Sequence, residues 1–462
     1  MSLLYGALYR NILFPLYESG VRRRSIPAHL RELQRTQWWS RSDLKALQAQ
    51  KLRALLEHAY LNVPFYRERL RRADLLPSDF RSVEDLHHLP VLTREEAANQ
   101  ADARQATAGA RIDIRKSTSG STGRPLLFGY DRASEDRRQA MRWRGYGWSG
   151  LRPGDKAVYF WGSLAVLYPP GWKKQLKTEL DHLLRREYYL DCTRHGRESL
   201  ERTVQFIARK QPKALVCYAQ AGVALARYVL ERGIREWDEL PVLCGAERLF
   251  PADRAVLEAA FGPAFETYGS REVMLMAAEC EAHQGMHTSM EHLIVEVAVQ
   301  TADGSYRPAK PGETGEVLVT DLTNYGMPFI RYANGDLAVR EDEGTCDCGR
   351  SLTRLRSVEG RKNDVLFDAD GQPINNLFFN VLFSVLGDSV RQFQVVQRSD
   401  RSVDLKVVPT ARFDARLVQS INDNCRKILG VPSRVHVVDD IPVSANGKYR
   451  VVVTEPPAPA AE

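Results

Sequence analysis

The sequence has no apolar stretch long enough to span a bilayer, since charged residues interrupt every hydrophobic run well before about 20 positions. It also lacks a Gly-x-x-x-x-Gly-Lys-Ser/Thr phosphate loop and internal repeats. Cysteine is scarce, and an odd total of seven in 462 residues argues against a disulfide framework. No secretory leader pattern is present in the first residues. We therefore expect a cytoplasmic protein with reduced thiols.

The composition is typical of a soluble enzyme. Hydrophobic residues make up 44% of the chain and charged residues 27%. A length of 462 residues exceeds one ordinary core and predicts two or more domains. The net charge of +7 indicates either a solvated surface rich in arginine or a polyanionic ligand. The basic residues are scattered among acidic ones, which argues against a dedicated nucleic-acid binder.

The chain divides into four predicted segments of an α/β protein. Residues 1–75 repeat apolar side chains at helical spacing and are predicted to pack on the large domain; a membrane-surface helix is the alternative for the first stretch. Residues 76–360 alternate short β-rich runs with helices, which predicts layered sheets and helices with a β-rich subdomain. Residues 361–452 predict a small α+β domain, and residues 453–462 a disordered tail.

The stretch KSTSGSTGRP at 116–125 is too polar to build a core and has the composition of a loop that wraps an anion. Two glycines let the backbone adopt positive φ, and the hydroxyl groups supply hydrogen-bond donors. A Ser/Gly linker is the alternative, although Lys116 and Arg124 flank the run. The predicted anion-binding residues are Ser117, Thr118, Ser119, Gly120, Ser121, Thr122 and Gly123.

Three acids and one lysine stand where an α/β fold could use them. Glu272 follows the strand-like AFETYG and suits a Mg²⁺ ligand, or else a helix-start acid. Glu247 follows the strand-like PVLCG. Asp336 in RYANGDLA could accept from ribose hydroxyls, or is a plain turn aspartate. Lys448 in PVSANGKYR gains a role only if the small domain reaches the site.

Soft metal ligands occur in two loop-like stretches, with Cys280 and His287 in ECEAHQGMH and Cys346 and Cys348 in CDCGR. Three thiolates and an imidazole would close a tetrahedral zinc shell with no open position, so the predicted zinc is structural. His283 is a competing imidazole, and free surface thiols are the alternative. The remaining cysteines are predicted to be small core residues: Cys192, Cys217, Cys244 and Cys425.

Taken in order, these motifs resemble the adenylate-forming superfamily of acyl-CoA ligases. The phenylacetate-CoA ligase-like branch, which includes capsule-biosynthesis (CapK-like) members, is the most similar, over about residues 40–452. STSGSTGRP resembles the family's phosphate loop, GAERLF its adenine-side motif and YGSREV its Tyr-Gly-x-Thr/Ser-Glu motif. RYANGDLA, EGRKNDVL and PVSANGK resemble the ribose, hinge and catalytic-lysine motifs. The paired Cys/His stretches resemble the branch's zinc site, with His287 rather than His283 as the ligand.

The resemblance implies that ATP and a carboxylic acid form an acyl-adenylate, from which coenzyme A then displaces AMP. It implies that Glu272 holds Mg²⁺, that Lys448 bridges the carboxylate and the α-phosphate, and that Arg361 neutralises charge. The small domain would rotate about a hinge at Asn363 and Asp364 and withdraw the lysine for the second step. Further nucleotide contacts are implied for Gly245, Ala246, Glu247, Tyr268, Gly269, Ser270, Arg271 and Asp336.

Three residues depart from the family pattern. Arg271 stands where most members have Thr or Ser, which removes a hydroxyl ligand but leaves a cation for a phosphate. Asn334 replaces a common Thr, and Asn363 occupies a hinge position that is usually charged.

The acyl acceptor and the acid stay open at the level of sequence. Coenzyme A is the implied acceptor; the alternatives are an acyl carrier protein, for which the basic surface is suited, or a sugar-linked acceptor of a polysaccharide pathway. A non-catalytic nucleotide-binding descendant is a third hypothesis, against which the intact Asn-Gly-Lys loop argues. Trp161, Tyr168 and Tyr218 are predicted to line the acid pocket, or else belong to the core. Homodimers are common in the branch.

Overall fold

A computed structural model describes residues 2–117, 126–162, 172–192, 197–234, 236–342, 344–362, 366, 389–441 and 452–455. The α-helices are α1 (Ser2–Leu8), α2 (Ile26–Thr36), α3 (Arg41–Asn62), α4 (Pro64–Arg72), α5 (Arg94–Asn99), α6 (Arg132–Gly147), α7 (Trp172–Arg185), α8 (Arg197–Lys210), α9 (Ala219–Glu231), α10 (Pro251–Ala260) and α11 (Ala415–Leu429). Two π-helical segments, Tyr9–Leu13 and Leu16–Val21, follow α1, and short 3₁₀ helices lie at Pro77–Asp79 and Glu84–His88.

The strands in the first two-thirds of the chain are β1 (Ile114–Ser117), β2 (Leu127–Tyr130), β3 (Ala157–Phe160), β4 (Glu187–Leu190), β5 (Ala214–Tyr218), β6 (Val242–Gly245), β7 (Ala264–Ser270), β8 (Met274–Glu279), β9 (Met286–Thr288) and β10 (Leu293–Gln300). They are followed by β11 (Tyr306–Pro308), β12 (Thr314–Asp321), β13 (Tyr332–Arg340), β14 (Arg354–Arg361), β15 (Val390–Gln397), β16 (Val403–Pro409), β17 (Ser433–Val437) and β18 (Val452–Thr454).

A twelve-stranded sheet forms the centre of the large domain, in the order β11-β10-β12-β13-β14-β9-β8-β7-β6-β5-β3-β4. The strands from β4 to β7 pair in parallel. From β7 onward the neighbours pair antiparallel, beginning with the β7–β8 hairpin. The sheet therefore changes from parallel to antiparallel at β7, and the predicted α/β class with a β-rich part is confirmed.

The parallel half is buried on both faces, which explains its sequence. All five residues of β5, ALVCY, are buried, as are all four of β6, VLCG, and such strands read as continuous apolar runs. Helix α9 packs closely on this layer. Only a residue without a side chain fits at Gly222 of α9, since a Cβ there would lie 2.5 Å from the sulfur of Cys217. The predicted core cysteines Cys192, Cys217 and Cys244 are buried. The side chain of Cys425 lies outside the described part of the chain.

The first residues form helices that pack on the large domain. Ser40 caps α3 by accepting from the backbone N–H of Asp43. The buried face of α3 presents leucines to the main core, among them Leu52, Leu55 and Leu56. Within the described residues, no helix combines the length and the apolar character needed to cross a membrane.

The last part of the chain contributes a four-stranded sheet in the order β17-β16-β15-β18, with α11 beside it. Asp414 caps the start of α11, and Gly430 ends it with a left-handed φ of 67°. A small core gathers Phe393, Val395 and Leu405, to which Phe250 of the large domain also belongs. This unit has the α+β character predicted for the C-terminal region, while the exact domain boundaries stay a prediction.

Candidate active site

A polar cluster, mostly buried, joins side chains from three strands of the large sheet, β7, β13 and β14. Tyr268 lies near the end of β7, Asn334 and Asp336 lie on β13, and Arg361 ends β14 opposite Asp336 in the register. Tyr268 Oη donates to Asp336 Oδ2 at 2.9 Å, and Asn334 Nδ2 donates to the same oxygen at 2.8 Å. Arg361 Nε lies 3.0 Å from Asp336 Oδ1. Three donors from three residues therefore fix one carboxylate.

Burial and neighbouring charge shift the pKa values of two members of this cluster. Burial, together with the negative charge of Asp336, raises the pKa of Tyr268, so the phenol stays protonated and remains a donor. The negative charge of Asp336 also raises the pKa of Arg361. Asn334, which departs from the family pattern, gives its amide to both Asp336 and Tyr268. Since 48% of the Arg361 side chain is exposed, the cluster opens to solvent on the guanidinium side.

Glu272 lies beside this cluster in the turn of the β7–β8 hairpin rather than at the start of a helix. The residue is buried, with Arg94 Nη1 at 3.3 Å and Tyr332 Oη at 3.4 Å from its Oε1. Arg138, which is fully buried on α6, donates to the Glu272 carbonyl oxygen and pairs with Asp321 at 2.6 Å. Arg138 therefore fixes the backbone of the hairpin turn. Among the described residues, the Glu272 carboxylate itself makes only long contacts, to Arg94 and Tyr332.

The hairpin turn itself has the geometry of a close-approach site. A Cβ on Gly269 would lie 2.0 Å from the Met274 carbonyl oxygen, so only glycine fits there. The Ser270 hydroxyl is buried and has no hydrogen-bond partner among the described residues. The side chain of Arg271, the next residue, is exposed. Burial lowers the pKa of Lys116, and the charge of nearby Arg271 lowers it further. Lys116 therefore lies within electrostatic reach of Arg271, one residue before β1 ends at Ser117.

Two of the three aromatic residues predicted for the acid pocket, Trp161 and Tyr218, meet at the carboxyl ends of the parallel strands β3 and β5. The rings of Trp161 and Tyr218 are 4.5 Å apart and nearly perpendicular. A Cβ on Gly245 would lie 3.2 Å from the Trp161 ring, which places the end of β6 directly against this pair. The absence of a side chain at Gly245 therefore keeps space beside the indole.

Glu247, predicted on the adenine side, has a structural partner. Its Oε2 accepts from the backbone N–H of Gln220 at 3.0 Å, in the first turn of α9. Ala246 adopts a left-handed φ of 66°, which is uncommon without glycine and turns the chain sharply after β6. The segment Gly245–Glu247 thus lies at the carboxyl ends of parallel strands, the edge that α/β folds use for ligands.

Several predicted site residues lie outside the described part of the chain. They comprise most of the phosphate loop, one pocket aromatic, the two hinge residues and the C-terminal lysine: Thr118, Ser119, Gly120, Ser121, Thr122, Gly123, Tyr168, Asn363, Asp364 and Lys448.

The predicted zinc ligands come together as a closed cluster. The ligand atoms of Cys280, His287, Cys346 and Cys348 all lie within 4.8 Å of one another. The sulfurs of Cys280 and Cys346 are 3.7 Å apart, close to the roughly 3.8 Å between sulfurs on a zinc tetrahedron with 2.3 Å bonds. His287 Nδ1 lies 3.3 Å from the Leu352 carbonyl oxygen, and its Nε2 points to the Cys348 sulfur at 3.3 Å. The backbone contact orients the imidazole, as outer partners of metal ligands do.

His283, the competing imidazole, is used elsewhere. Its Nδ1 lies 3.6 Å from Glu279 Oε2, and its ring is tilted against that of Phe265, with the ring centroids 4.7 Å apart. It is therefore part of a surface-side contact and not of the cysteine cluster.

Sequence reasoning missed two arginines of the site, Arg94 and Arg138. Arg94 opens α5 just after the capping residue Thr93, and Arg138 lies on a helix with charged residues on several sides. Neither has a local signal, because each reaches Glu272 only through the tertiary fold. Tyr332 was within the RYANGDLA motif but had no role assigned to it.

The architecture is that of adenylate-forming ligases. A solved structure of a 2-hydroxyisobutyryl-CoA ligase, in the postadenylation state with an acyl-AMP, superimposes with a TM-score of 0.73. The match covers 90% of each chain at 19% sequence identity. A family model described as the CapK C-terminal domain matches residues 366–455.

Curated relatives identify the family. Phenylacetate-coenzyme A ligase of Escherichia coli is 31% identical over 335 residues, which is 70% of this chain and 72% of the relative. The enzyme of the same name from Thermus thermophilus is 27% identical over 416 residues, covering 86% of this chain and 88% of the relative. The chain belongs to the phenylacetate-coenzyme A ligase family, and the resemblance seen in its motifs is confirmed.

Proposed function

We propose that this protein is an AMP-forming acid–thiol ligase that activates a carboxylic acid with ATP and passes the acyl group to coenzyme A. In the first step a carboxylate oxygen bonds to the α-phosphorus of ATP and the bond to the β-phosphate oxygen breaks, releasing pyrophosphate. In the second, the thiol sulfur bonds to the acyl carbon, its proton is lost and AMP leaves. Family membership supports this reaction.

The single observation that carries the proposal is the fixed carboxylate of Asp336. Its Oδ2 accepts from Tyr268 and Asn334, and its Oδ1 lies 3.0 Å from Arg361 Nε, so the carboxylate is held in one orientation. A carboxylate oriented in this way is suited to accept a hydrogen bond from a ribose hydroxyl group. Arg361, which is half exposed beside it, would face the phosphate end of the same nucleotide.

Magnesium fits the Glu272 position. The carboxylate is buried and its nearest cation is 3.3 Å away, so it is not committed to a short ion pair. Mg²⁺ is usually held by one or two carboxylates together with substrate phosphates and water, which matches a single acid. Bound there, the ion would neutralise charge on the triphosphate. The Ser270 hydroxyl, which has no hydrogen-bond partner within the described part of the chain, offers a donor to the same phosphates.

Zinc fits the cysteine cluster in a structural role. The four residues would supply a complete tetrahedral shell, and three of them are buried. The cluster would tie the β8–β9 connection to the loop before β14. It supplies no open coordination position, so we assign it no step of the reaction.

The roles of the remaining predicted residues rest on their motifs. We propose that 117–123 bind the leaving pyrophosphate, with Arg271 and Lys116 adding positive charge. Lys448 would bridge the carboxylate and the α-phosphate in the first step only, after which rotation at Asn363 and Asp364 would remove it.

The acceptor distinguishes two candidate functions. Coenzyme A is favoured by the relatives. The second candidate is transfer to an acyl carrier protein, for which the net positive charge is suited, or to a sugar-linked acceptor of a polysaccharide pathway, which is in keeping with the CapK C-terminal match over residues 366–455. Cytoplasmic location and a homodimer remain part of the proposal and are checked by fractionation and by light scattering.

The test is product analysis by mass spectrometry. Purified protein is incubated with ATP, Mg²⁺, coenzyme A and a panel of arylacetic, benzoic and fatty acids. We expect AMP and one class of CoA thioester to appear in equal amounts. AMP without thioester, followed by acylation of an added carrier protein, would favour the second candidate. Neither AMP nor pyrophosphate with any acid would contradict the proposal.

A further inference from the structure

Two adjacent helical elements leave a large apolar surface uncovered. The first is the N-terminal helix formed by α1 and the π-helical segments after it, and the second is α7. Together they carry nine of the fifteen large apolar side chains that are exposed in the described part of the chain. Scattered exposed leucines are normal, but a contiguous apolar face marks an interaction site.

On the N-terminal helix, the exposed side chains recur every fourth position. They are 46 to 76% exposed, and they are Leu4, Leu8, Ile12 and Leu16. This spacing places them on one side of the helix. The opposite side is occupied, since Tyr9 and Phe14 are buried in the main core.

Helix α7 repeats the pattern. Its outward row is 49 to 71% exposed and consists of Trp172, Leu176, Leu180 and Leu183. Leu184, on another side of the helix, packs against the main core instead. The sequence alone indicated a membrane-surface helix as an alternative for the N-terminal segment. The exposed apolar row of α7 is identified only from the structure.

The two helical elements that carry these rows are joined by hydrogen bonds and an ion pair, and together they form one platform. Tyr17 Oη donates to Asp181 Oδ1 at 2.8 Å, and Tyr5 Oη donates to the Leu184 carbonyl oxygen at 2.8 Å. Buried Glu18 pairs with Arg185 at 3.0 Å. A shallow groove between the elements is lined by Tyr17 together with outward residues of α7. The N-terminal helix is therefore locked onto α7 with both leucine rows facing away from the protein.

The exposed charged residues described on these two elements and directly after the N-terminal helix are predominantly basic. Lys173 and Lys177 are exposed next to the α7 row, and Arg23 is exposed at the end of the N-terminal helix. Glu179 is the exposed acid on α7. We propose that this platform, the outward rows of the N-terminal helix and of α7, docks the protein on an anionic lipid bilayer. This inference does not rest on the proposed enzymatic function.

Charge and composition favour a bilayer over a second protein surface. Helices that lie in the membrane interface present Leu and Trp on one face and Lys or Arg beside it. Tryptophan is typical of the bilayer interface, whereas lysine is depleted in protein–protein interface cores. The lysines of α7 stand directly beside the apolar row, where lipid phosphates would meet them.

The experiment is vesicle flotation of the full chain at low and high salt. The vesicles contain phosphatidylcholine with or without phosphatidylglycerol. We expect the protein to float with the anionic vesicles, and salt to weaken this binding by screening. Leu176→Glu/Leu180→Glu should lower the floated fraction at least roughly tenfold, because two leucines leave the bilayer. Lys173→Gln/Lys177→Gln should lower the partition coefficient about tenfold.

The matched control is Leu61→Glu/Leu230→Glu, which adds the same charges at exposed leucines of α3 and α9. It should float like the wild type. Melting temperature and acid-dependent pyrophosphate release should be unchanged in all variants, which shows that they are folded. Failure of the wild type to float, or equal flotation on neutral vesicles, would overturn the proposal. So would a dimer in light scattering that Leu176→Glu/Leu180→Glu converts to a monomer without any flotation of the wild type.

Discussion

The Asp336 cluster and the cysteine cluster are attached to the same strand, β14, but differ in how they face solvent. Arg361 at the end of β14 pairs with Asp336 of β13, while Arg354 at its start lies opposite His287 of β9. The first cluster presents the guanidinium group of Arg361 to solvent. In the cysteine cluster, the sulfur and imidazole ligand atoms face one another. We therefore propose that the first site exchanges a ligand and that the second stabilises the fold.

Both clusters combine residues that are far apart in the sequence, so register decides their geometry. The β13–β14 pairing aligns Asp336 with Arg361, and two register irregularities in this pair adjust the later residues. At the other cluster, Cys346 and Cys348 are in the loop that leads into β14. We therefore expect a substitution in the cysteine cluster to lower mainly the stability of the protein, and a substitution in the Asp336 cluster to lower mainly its rate of turnover.

The largest expected effect lies outside both clusters. Lys448→Ala should slow adenylate formation roughly 1,000-fold, because a positioned cation would be lost from the reacting carboxylate and phosphate. Coenzyme A transfer from preformed acyl-AMP should change little. Single-turnover measurement of each step checks this, with exposed Lys310→Ala as the control. Equal loss of both steps would refute the proposed removal of the lysine between steps.

Asp336→Ala tests the open cluster directly. It should lower kcat/KM for ATP roughly 100-fold, since a carboxylate that accepts charged and neutral hydrogen bonds is lost and Arg361 is left without its partner. Steady-state pyrophosphate release measures it. Asp303→Ala removes an equally hydrogen-bonded but exposed turn aspartate and should be silent. A drop only in melting temperature would move Asp336 to a structural role.

Cys346→Ser tests the closed cluster. It should lower the melting temperature by at least about 5 °C, because a tetrahedral site loses one ligand. At a temperature where the variant stays folded, kcat should remain within about threefold of the wild type, as expected of a site outside the chemistry. Metal analysis should give one zinc per wild-type chain. Cys192→Ser, at a buried cysteine outside the cluster, is the control for the substitution itself. A wild-type protein that contains no zinc and is no less stable for it would contradict the structural zinc site.

The smallest effect is expected for Tyr268→Phe. The variant keeps the ring and removes the hydroxyl that donates to Asp336, so kcat/KM for ATP should fall about fivefold. Tyr306→Phe removes a similar donor, to Glu316, on the antiparallel half of the sheet and should not affect ATP use. An identical decrease in both would mean that general loss of stability, rather than the cluster, explains the result.

Much of the fold was predictable because its signals are local. Buried parallel strands such as β5 and β6 appear as uninterrupted apolar runs, and the later antiparallel strands appear as short β-rich runs joined by turns. The cysteine ligands were predictable because soft side chains are rare and stand out. Asp336 and Arg361 were found through their motifs.

Other features depend on tertiary contacts and have no local signal. Glu272 lies in a hairpin turn instead of a helix start, because VMLMAAE returns as β8 beside β7. Arg94 and Arg138 become site residues only when α5 and α6 pack behind that turn. The outward direction of Leu176 and Leu180 on α7 likewise required the packed structure, since an amphipathic pattern does not say which face is covered.

The most direct test of the central claim is isotope exchange between pyrophosphate and ATP without coenzyme A. If the Asp336 cluster and Glu272 together bind ATP for acid activation, exchange should require a carboxylic acid and Mg²⁺, proceed without any thiol, and fall in parallel with kcat/KM in Asp336→Ala. Exchange that is absent with every acid, or that is undiminished in Asp336→Ala, would contradict it.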